Sequence, residues 1–394
     1  MSDLPKGFSA AVAEAVFRKP GRNDLALVFS SLPCTLAALF TTNKFCAAPV
    51  QIDRKILAGG KPVRAIIANS GQANACTGRE GLANCEEIQQ IASKALHIAP
   101  DEILLISTGV IGAQFDMVKW RKSLPALFES NGAANVESFT RAIMTTDAFP
   151  KFKTRELSLA GGNVKIAVMA KGAGMICPNM ATMLCVVLTD LLIERDKWQE
   201  IFNANVERTF NRVSVDGDTS TNDTILGLAN GASGVALANE SDLRLMREAL
   251  FNILQDVATM LVRDGEGASK IMRIIVKGAA SEDDAKKAAR AIGDSQLVKT
   301  AVYGGDANWG RIINAIGYSG ANIKPELVKM ALCGIERFIN GAPVNDHMED
   351  ELAKRLMEKE ILVEVWLCQG NADYTYLASD LGHEYVTLNS DYRS

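Results

Sequence analysis

Histidine is scarce in this 394-residue chain, which has only His97, His347 and His383. None has a second histidine or a cysteine at ligand spacing, so no metal site is expected. A Ser-His-Asp triad would have to recruit one of the three, and no GxSxG elbow is present. The eight cysteines (34, 46, 76, 85, 177, 185, 333 and 368) form no CxxC pair and mostly sit in apolar or Gly/Ala-rich contexts. Reduced, buried thiols are therefore expected. There is no polybasic run, and 42 basic against 46 acidic residues leave a net charge of -4. That balance argues against nucleic acid or a membrane surface as partner. No stretch approaches the roughly 18 to 20 apolar residues that a bilayer span needs. The opening MSDLPKGFSAA also lacks the basic-then-apolar pattern of a secretory signal, so a cytoplasmic location is expected.

What remains is ordinary for a globular enzyme, with 48% hydrophobic and 22% charged residues. The length suggests about two or three domains. Asn84 to His97, opening on an Asn cap, and Ser241 to Val262, opening on a Ser cap, carry apolar stripes at helical spacing. Short apolar runs predict strands at 63–67, 103–106, 164–170, 183–188, 271–276 and 361–367. Their irregular alternation with helices points to a layered α/β arrangement without strict βαβ repetition. The Gly-Ala-Ala-Ser segment at 278–281 reads as a linker, with Ser281 capping the helix that follows. Tyr385 to Ser394 reads as a short strand-like piece with a polar end.

The most informative segment is KGAGMICPNMATML, Lys171 to Leu184. Thr182 follows a Gly/Pro-dense loop and precedes an apolar strand, a place where a peptide bond can be held in strain against a neighbouring hydroxyl. If its Oγ attacks the Ala181 carbonyl, the amide becomes an ester, water completes the break, and Thr182 becomes an N-terminus. The freed α-amine, with a pKa of about 8, can act as base for the hydroxyl beside it. A chain poor in histidine favours a nucleophile that carries its own base. Elsewhere, Thr108 and Gly109 at the end of an apolar strand offer a hydroxyl and an N–H suited to a developing oxyanion, or a plain turn. Lys171 lies close in sequence to Thr182. Glu266, in the Gly-rich stretch after the longest helix, reads as a solvated charge or as a carboxylate for a cationic ligand. The polar stretches 217–224 and 304–311 read as self-supporting turns.

Together these stretches resemble the ornithine acetyltransferase (glutamate N-acetyltransferase) family of arginine biosynthesis. The matching segments run almost end to end: AALFTTNKFCAAPV, ANSGQANACTG, LLISTGVIG, RAIMTTDAFPK, KGAGMICPNMATML, VDGDTSTNDT, DGEGASK, LVKTAVYGGDANWGRI and YVTLNSDYRS. The resemblance implies an α-β-β-α sandwich with a smaller C-terminal α/β region, and scission between Ala181 and Thr182. The α chain would be 1–181 and the β chain 182–394, with 182–280 completing the core and 281–394 forming the smaller domain.

It further implies Thr182 as the acetyl-carrying nucleophile, Thr108 and Gly109 as the oxyanion hole, and Thr145, Lys171, Thr182, Glu266, Asn389 and Ser394 as substrate contacts. The implied substrates are N-acetylornithine and glutamate and the implied assembly is an α2β2 heterotetramer, without a cofactor beyond acetyl-CoA as an additional donor. Gln72, Ala148 and Ser394 depart from the family pattern without removing a nucleophile or charge. Two rivals share the chemistry: an N-terminal-nucleophile amidase or peptidase, in which water takes the acyl group, and a related transferase of a secondary-metabolite pathway.

Overall fold

The computed structural model describes residues 3–177, 183–345 and 347–391. In chain order the strands are β1 (Phe8–Ala13), β2 (Leu25–Phe40), β3 (Val63–Gln72), β4 (Ile103–Val110), β5 (Lys151–Leu159), β6 (Gly162–Lys171), β7 (Leu184–Thr189), β8 (Val213–Ser214) and β9 (Thr224–Ala229). They continue with β10 (Ile271–Ala279), β11 (Lys329–Leu332), β12 (Ile335–Ile339), β13 (Ala342–Pro343), β14 (Glu360–Trp366) and β15 (Ala372–Ser379). The described residues divide into two compact units, one drawn from 3–211 and 218–261, the other from 212–217 and 262–391.

In the first unit the strand order is β4-β3-β2-β9-β7-β6-β5, with β1 pairing β2. The β3–β4 and β7–β9 pairs are parallel and the others antiparallel. Each parallel pair has a helix between its strands in sequence, Gly78–Leu96 for the first and Arg195–Arg208 for the second. The 16-residue β2 serves two parts of this sheet: residues 25–29 and Cys34 pair with β3, while residues 35–40 pair with β9. The register breaks between Phe29 and Cys34, where Pro33 supplies no N–H to a ladder.

Both parts contribute to one apolar core, in which Leu25, Leu27, Ile66 and Ile106 cluster with Met169, Val186 and Leu226. The helix Ala48–Gly59 packs on β4, Met117–Glu129 on β1 and β2, and Arg195–Arg208 on β2. This is the α-β-β-α layering. Strands β7 and β9 are buried along their whole length, which is why they read in sequence as unbroken apolar runs.

The second unit is built on a sheet of order β13-β12-β11-β14-β10-β15-β8, and its core gathers Ile274, Ile292, Met330, Val363 and Tyr376. β10 lies inside this sheet, pairing with both β14 and β15. The boundary expected at 281 therefore falls at 262, because the linker-like 278–281 merely ends a strand of the second unit.

Several local expectations change. The helix Glu240–Arg263 takes its N-terminal bond from Asn239, whose Oδ1 accepts the Asp242 N–H at 2.9 Å, so Ser241 lies inside the helix and is not its cap. The helix expected from Asn84 starts earlier, at Gly78. Ser281 caps the helix Glu282–Asp294 as expected. Residues 383–391 form a helix where a strand-like piece was expected. None of the eight cysteines is in a disulfide, but Cys76 and Cys368 are exposed. Among the described residues no helix is long and apolar enough to cross a membrane.

Candidate active site

Lys171 ends β6 with its side chain almost wholly buried. Its Nζ donates to Thr145 Oγ1 at 2.8 Å and to Thr108 Oγ1 at 3.4 Å. Three residues expected at the site thus converge from separate segments: the end of β4, the turn before β5 and the end of β6. A hydroxyl that accepts from an ammonium keeps its own proton free to donate, so Thr108 is a polarised donor.

A buried ammonium is tolerated only with a counter-charge. Asp147 supplies it, with Oδ2 3.9 Å from Lys171 Nζ and Oδ1 2.6 Å from Lys151 Nζ. The same carboxylate accepts the Gly172 N–H at 2.7 Å and the Thr145 N–H at 3.0 Å, fixing both loops that carry site residues. Burial pushes the Asp147 carboxyl up, but the Lys171 and Lys151 charges and its hydrogen bonds outweigh this and hold it at about 2. Neither Asp147 nor Lys151 was identified from sequence. Their i,i+4 spacing was the available signal.

Gly109, the second oxyanion candidate, has φ of +133° and stands opposite Gly71 in the parallel β3–β4 ladder. A Cβ there would lie 2.2 Å from the Gly71 carbonyl carbon and 2.5 Å from Gln72 N, so the two backbones approach too closely for any side chain. Gly109→Ala should push β4 away from β3 and displace the Thr108–Gly109 donors. If the pair is the oxyanion hole that the resemblance implies, the expected result is a fall in activity on the order of 100-fold, as for loss of one such donor. Steady-state rates of the purified variant check this, and a wild-type rate would remove Gly109 from the site.

The stretch 218–224 is more than a self-supporting turn. Asn222 Nδ2 donates to Ala73 O at 2.7 Å and to Ser107 O at 2.8 Å, pinning the backbone just before Thr108. Asp223 Oδ1 accepts the Met183 N–H at 3.1 Å, and Thr224 N donates to Met183 O at 3.0 Å. The loop therefore fastens the end of β4 and the start of β7 together. Ala181 and Thr182, the expected cleavage pair and nucleophile, lie outside the described residues, as does Ser394. By contrast, 304–311 is a self-supporting connection, with Gly305 in the left-handed region after the helix Gln296–Gly304 and Asn308 capping the helix Trp309–Tyr318.

In the second unit Glu266 and Asn389 meet. Asn389 Nδ2 donates to Glu266 Oε2 at 2.9 Å and to Tyr385 O at 3.0 Å. The helix His383–Asp391 presents Asn389 to the loop carrying Glu266, so the amide orients the carboxylate. Among the described residues no group of three or more His, Cys, Asp or Glu is placed to hold a metal ion.

The model of the ArgJ family matches residues 9–394. The chain belongs to the ArgJ family. A relative in this ArgJ family, the arginine biosynthesis bifunctional protein ArgJ of Nitratidesulfovibrio vulgaris, is 54% identical over 394 residues, covering 100% of both chains. The glutamate N-acetyltransferase of Methanocaldococcus jannaschii is 42% identical over 401 residues, 98% of this chain and 97% of that one. Among solved structures, the arginine biosynthesis bifunctional protein ArgJ of Bacillus halodurans is 38% identical, covering 52% of this chain and 96% of that chain with a TM-score of 0.49.

Proposed function

We propose that this chain transfers an acetyl group from N2-acetyl-L-ornithine to L-glutamate in arginine biosynthesis, after cutting itself between Ala181 and Thr182. Membership of a family whose named members include a glutamate N-acetyltransferase supports the reaction. The observation that carries the assignment to residues is the convergence of Thr108, Thr145 and Lys171 on one buried ammonium, with Gly109 next in the strand.

In this reading the Thr182 Oγ attacks the acetyl carbonyl while its own α-amine takes the proton. Thr108 Oγ and Gly109 N–H steady the oxyanion, ornithine departs with the returned proton, and an acetyl-Thr182 ester remains. The α-amine of glutamate then attacks the ester and carries the acetyl away. Lys171, with Thr145, answers the substrate α-carboxylate, and Ser394 is a further contact. Glu266, oriented by Asn389, offers the anion that the distant ornithine ammonium requires. No step needs a cofactor, and acetyl-CoA enters only as an additional acetyl donor. The assembly belonging to this reading is an α2β2 heterotetramer in the cytoplasm.

Incubation with N-acetylornithine, with and without glutamate, tests it. Ornithine and N-acetylglutamate should accumulate in equal amounts only when glutamate is present. Sustained release of free acetate, with no N-acetylglutamate, would overturn the transferase reading in favour of an amidase.

A further inference from the structure

Lys299 is a buried cation that the transfer route leaves unused. It lies in the helix Gln296–Gly304 of the second unit and is 3% exposed. Its Nζ donates to the Ser379 carbonyl oxygen and, at 3.2 Å, to Ser379 Oγ. Among the described residues no carboxylate forms an ion pair with it, and Asp294, Asp216 and Asp380 draw on it only from a distance. Burial pushes its ammonium down to about 8 against the pull of those three carboxylates, so it is charged at neutral pH. A buried ammonium answered only by neutral oxygens is costly, and an apolar side chain of similar volume often serves stability as well or better. A use other than stability is called for.

What Lys299 grips is the root of the helix that carries Asn389. Ser379 ends β15, and residues 380–382 lead directly into the helix His383–Asp391. That helix buries none of its own residues, so its placement depends on how its lead-in is held. Leu381 N donates to Lys299 O at 3.3 Å and Asp380 N to Lys270 O at 3.1 Å, while Asp380 Oδ1 accepts the Ser269 N–H at 2.8 Å. Ser269 and Lys270 close the loop that carries Glu266, and a Cβ on Gly267 in that loop would lie 2.4 Å from Tyr385 N. The loop and the helix that bring Glu266 Oε2 and Asn389 Nδ2 to 2.9 Å are thus both fastened to the segment that Lys299 holds.

We propose that Lys299 is a positioning residue for ornithine recognition: its ammonium holds the root of this helix so that Asn389 aims the Glu266 carboxylate at the distant ammonium of the substrate. The assignment rests on the reading of Glu266 given above. Double displacement separates the two substrates, because kcat/KM for each reports its own half-reaction. Glutamate has no distant ammonium, so a defect in the Glu266 cradle falls on N-acetylornithine alone.

The test measures both kcat/KM values on the purified full-length enzyme and its variants. Lys299→Met keeps most of the apolar stem; it should lower kcat/KM for N-acetylornithine by about 10-fold, the loss of a charge-assisted hydrogen bond, and leave the value for glutamate within about 2-fold. Ser379→Ala removes only the hydroxyl acceptor and should give a smaller loss with the same selectivity, which decides the matter should the Met variant fail to fold. In a Glu266→Gln background Lys299→Met should cost little more, since both act through one carboxylate. A fall shared equally by the two substrates, an N-acetylornithine value that stays at wild type in whichever variants fold, or a full additional loss in the Glu266→Gln background overturns the assignment to Lys299 while the role of Glu266 stands. A Glu266→Gln enzyme that keeps the wild-type kcat/KM for N-acetylornithine instead defeats the reading of Glu266 itself.

Discussion

Thr182→Ala should leave a single 394-residue band on a denaturing gel, where the proposed scission would divide the wild type into chains of 181 and 213 residues. Alanine has no oxygen to attack the preceding carbonyl, so the peptide bond stays intact and no α-amine is released beside a hydroxyl. Acetyl transfer falls by at least about 10^4-fold, because nucleophile and base are lost in one substitution. Intact mass analysis and an acetylornithine–glutamate assay on the same preparation check both halves. A Thr182→Ser variant, which keeps a hydroxyl, should still cut. Full transfer by an uncut Thr182→Ala protein would show that the reaction needs neither this hydroxyl nor the new terminus.

Asp147→Asn is the substitution with the largest expected cost to stability. The Asp147–Lys151 pair has no side-chain exposure on either partner, so removing the carboxylate leaves Lys151 charged in the core and takes the counter-charge from Lys171. Breaking such a pair costs about 3 to 5 kcal/mol. Asp147→Asn combined with Lys151→Met should recover part of this, since the stranded ammonium goes too. The pH dependence follows from the sign of the shift. Asp147 titrates at about 2 in the folded chain, below its value in an unfolded one. Its contribution is therefore present above about pH 4 and is lost as pH falls towards 2, an effect of about 2 kcal/mol. Urea denaturation at pH 7 and at stepwise lower pH measures both quantities. A loss under about 1 kcal/mol at pH 7 would mean that the pair is not desolvated.

Legibility in the sequence followed physical simplicity. β7 and β10 were readable because burial demands near-continuous apolar residues there. β2 was not, because Ser30 to Pro33 interrupts its pattern where the strand changes partners. β5, with Lys153, Arg155 and Glu156, carries charges along a partly exposed sheet edge and resembles a loop. Tyr385 and Val386 favour strands locally, yet the segment is a helix, an override of propensity by context. Thr108 and Lys171 stood out from their sequence contexts, Thr145 only through family resemblance, and the structure accounts for their meeting. Asp147 and Asp223 escaped notice because their telling partners, Gly172 and Met183, lie 25 and 40 residues away.

The order of strands in the first unit has a consequence for the fate of a severed chain. Strands preceding residue 181 occupy both flanks, β4-β3-β2 on one side and β6-β5 on the other, with β9-β7 from beyond that point seated between them. The later segment is a tenon in a mortise: each of its two strands is laced by a full ladder to a strand of the earlier segment, β9 to β2 and β7 to β6. Cutting the backbone removes a tether without opening a seam, so the two pieces travel as one particle until denaturant unzips them. Separately expressed halves have, in these ladders, the interlocking edges that fragment complementation requires.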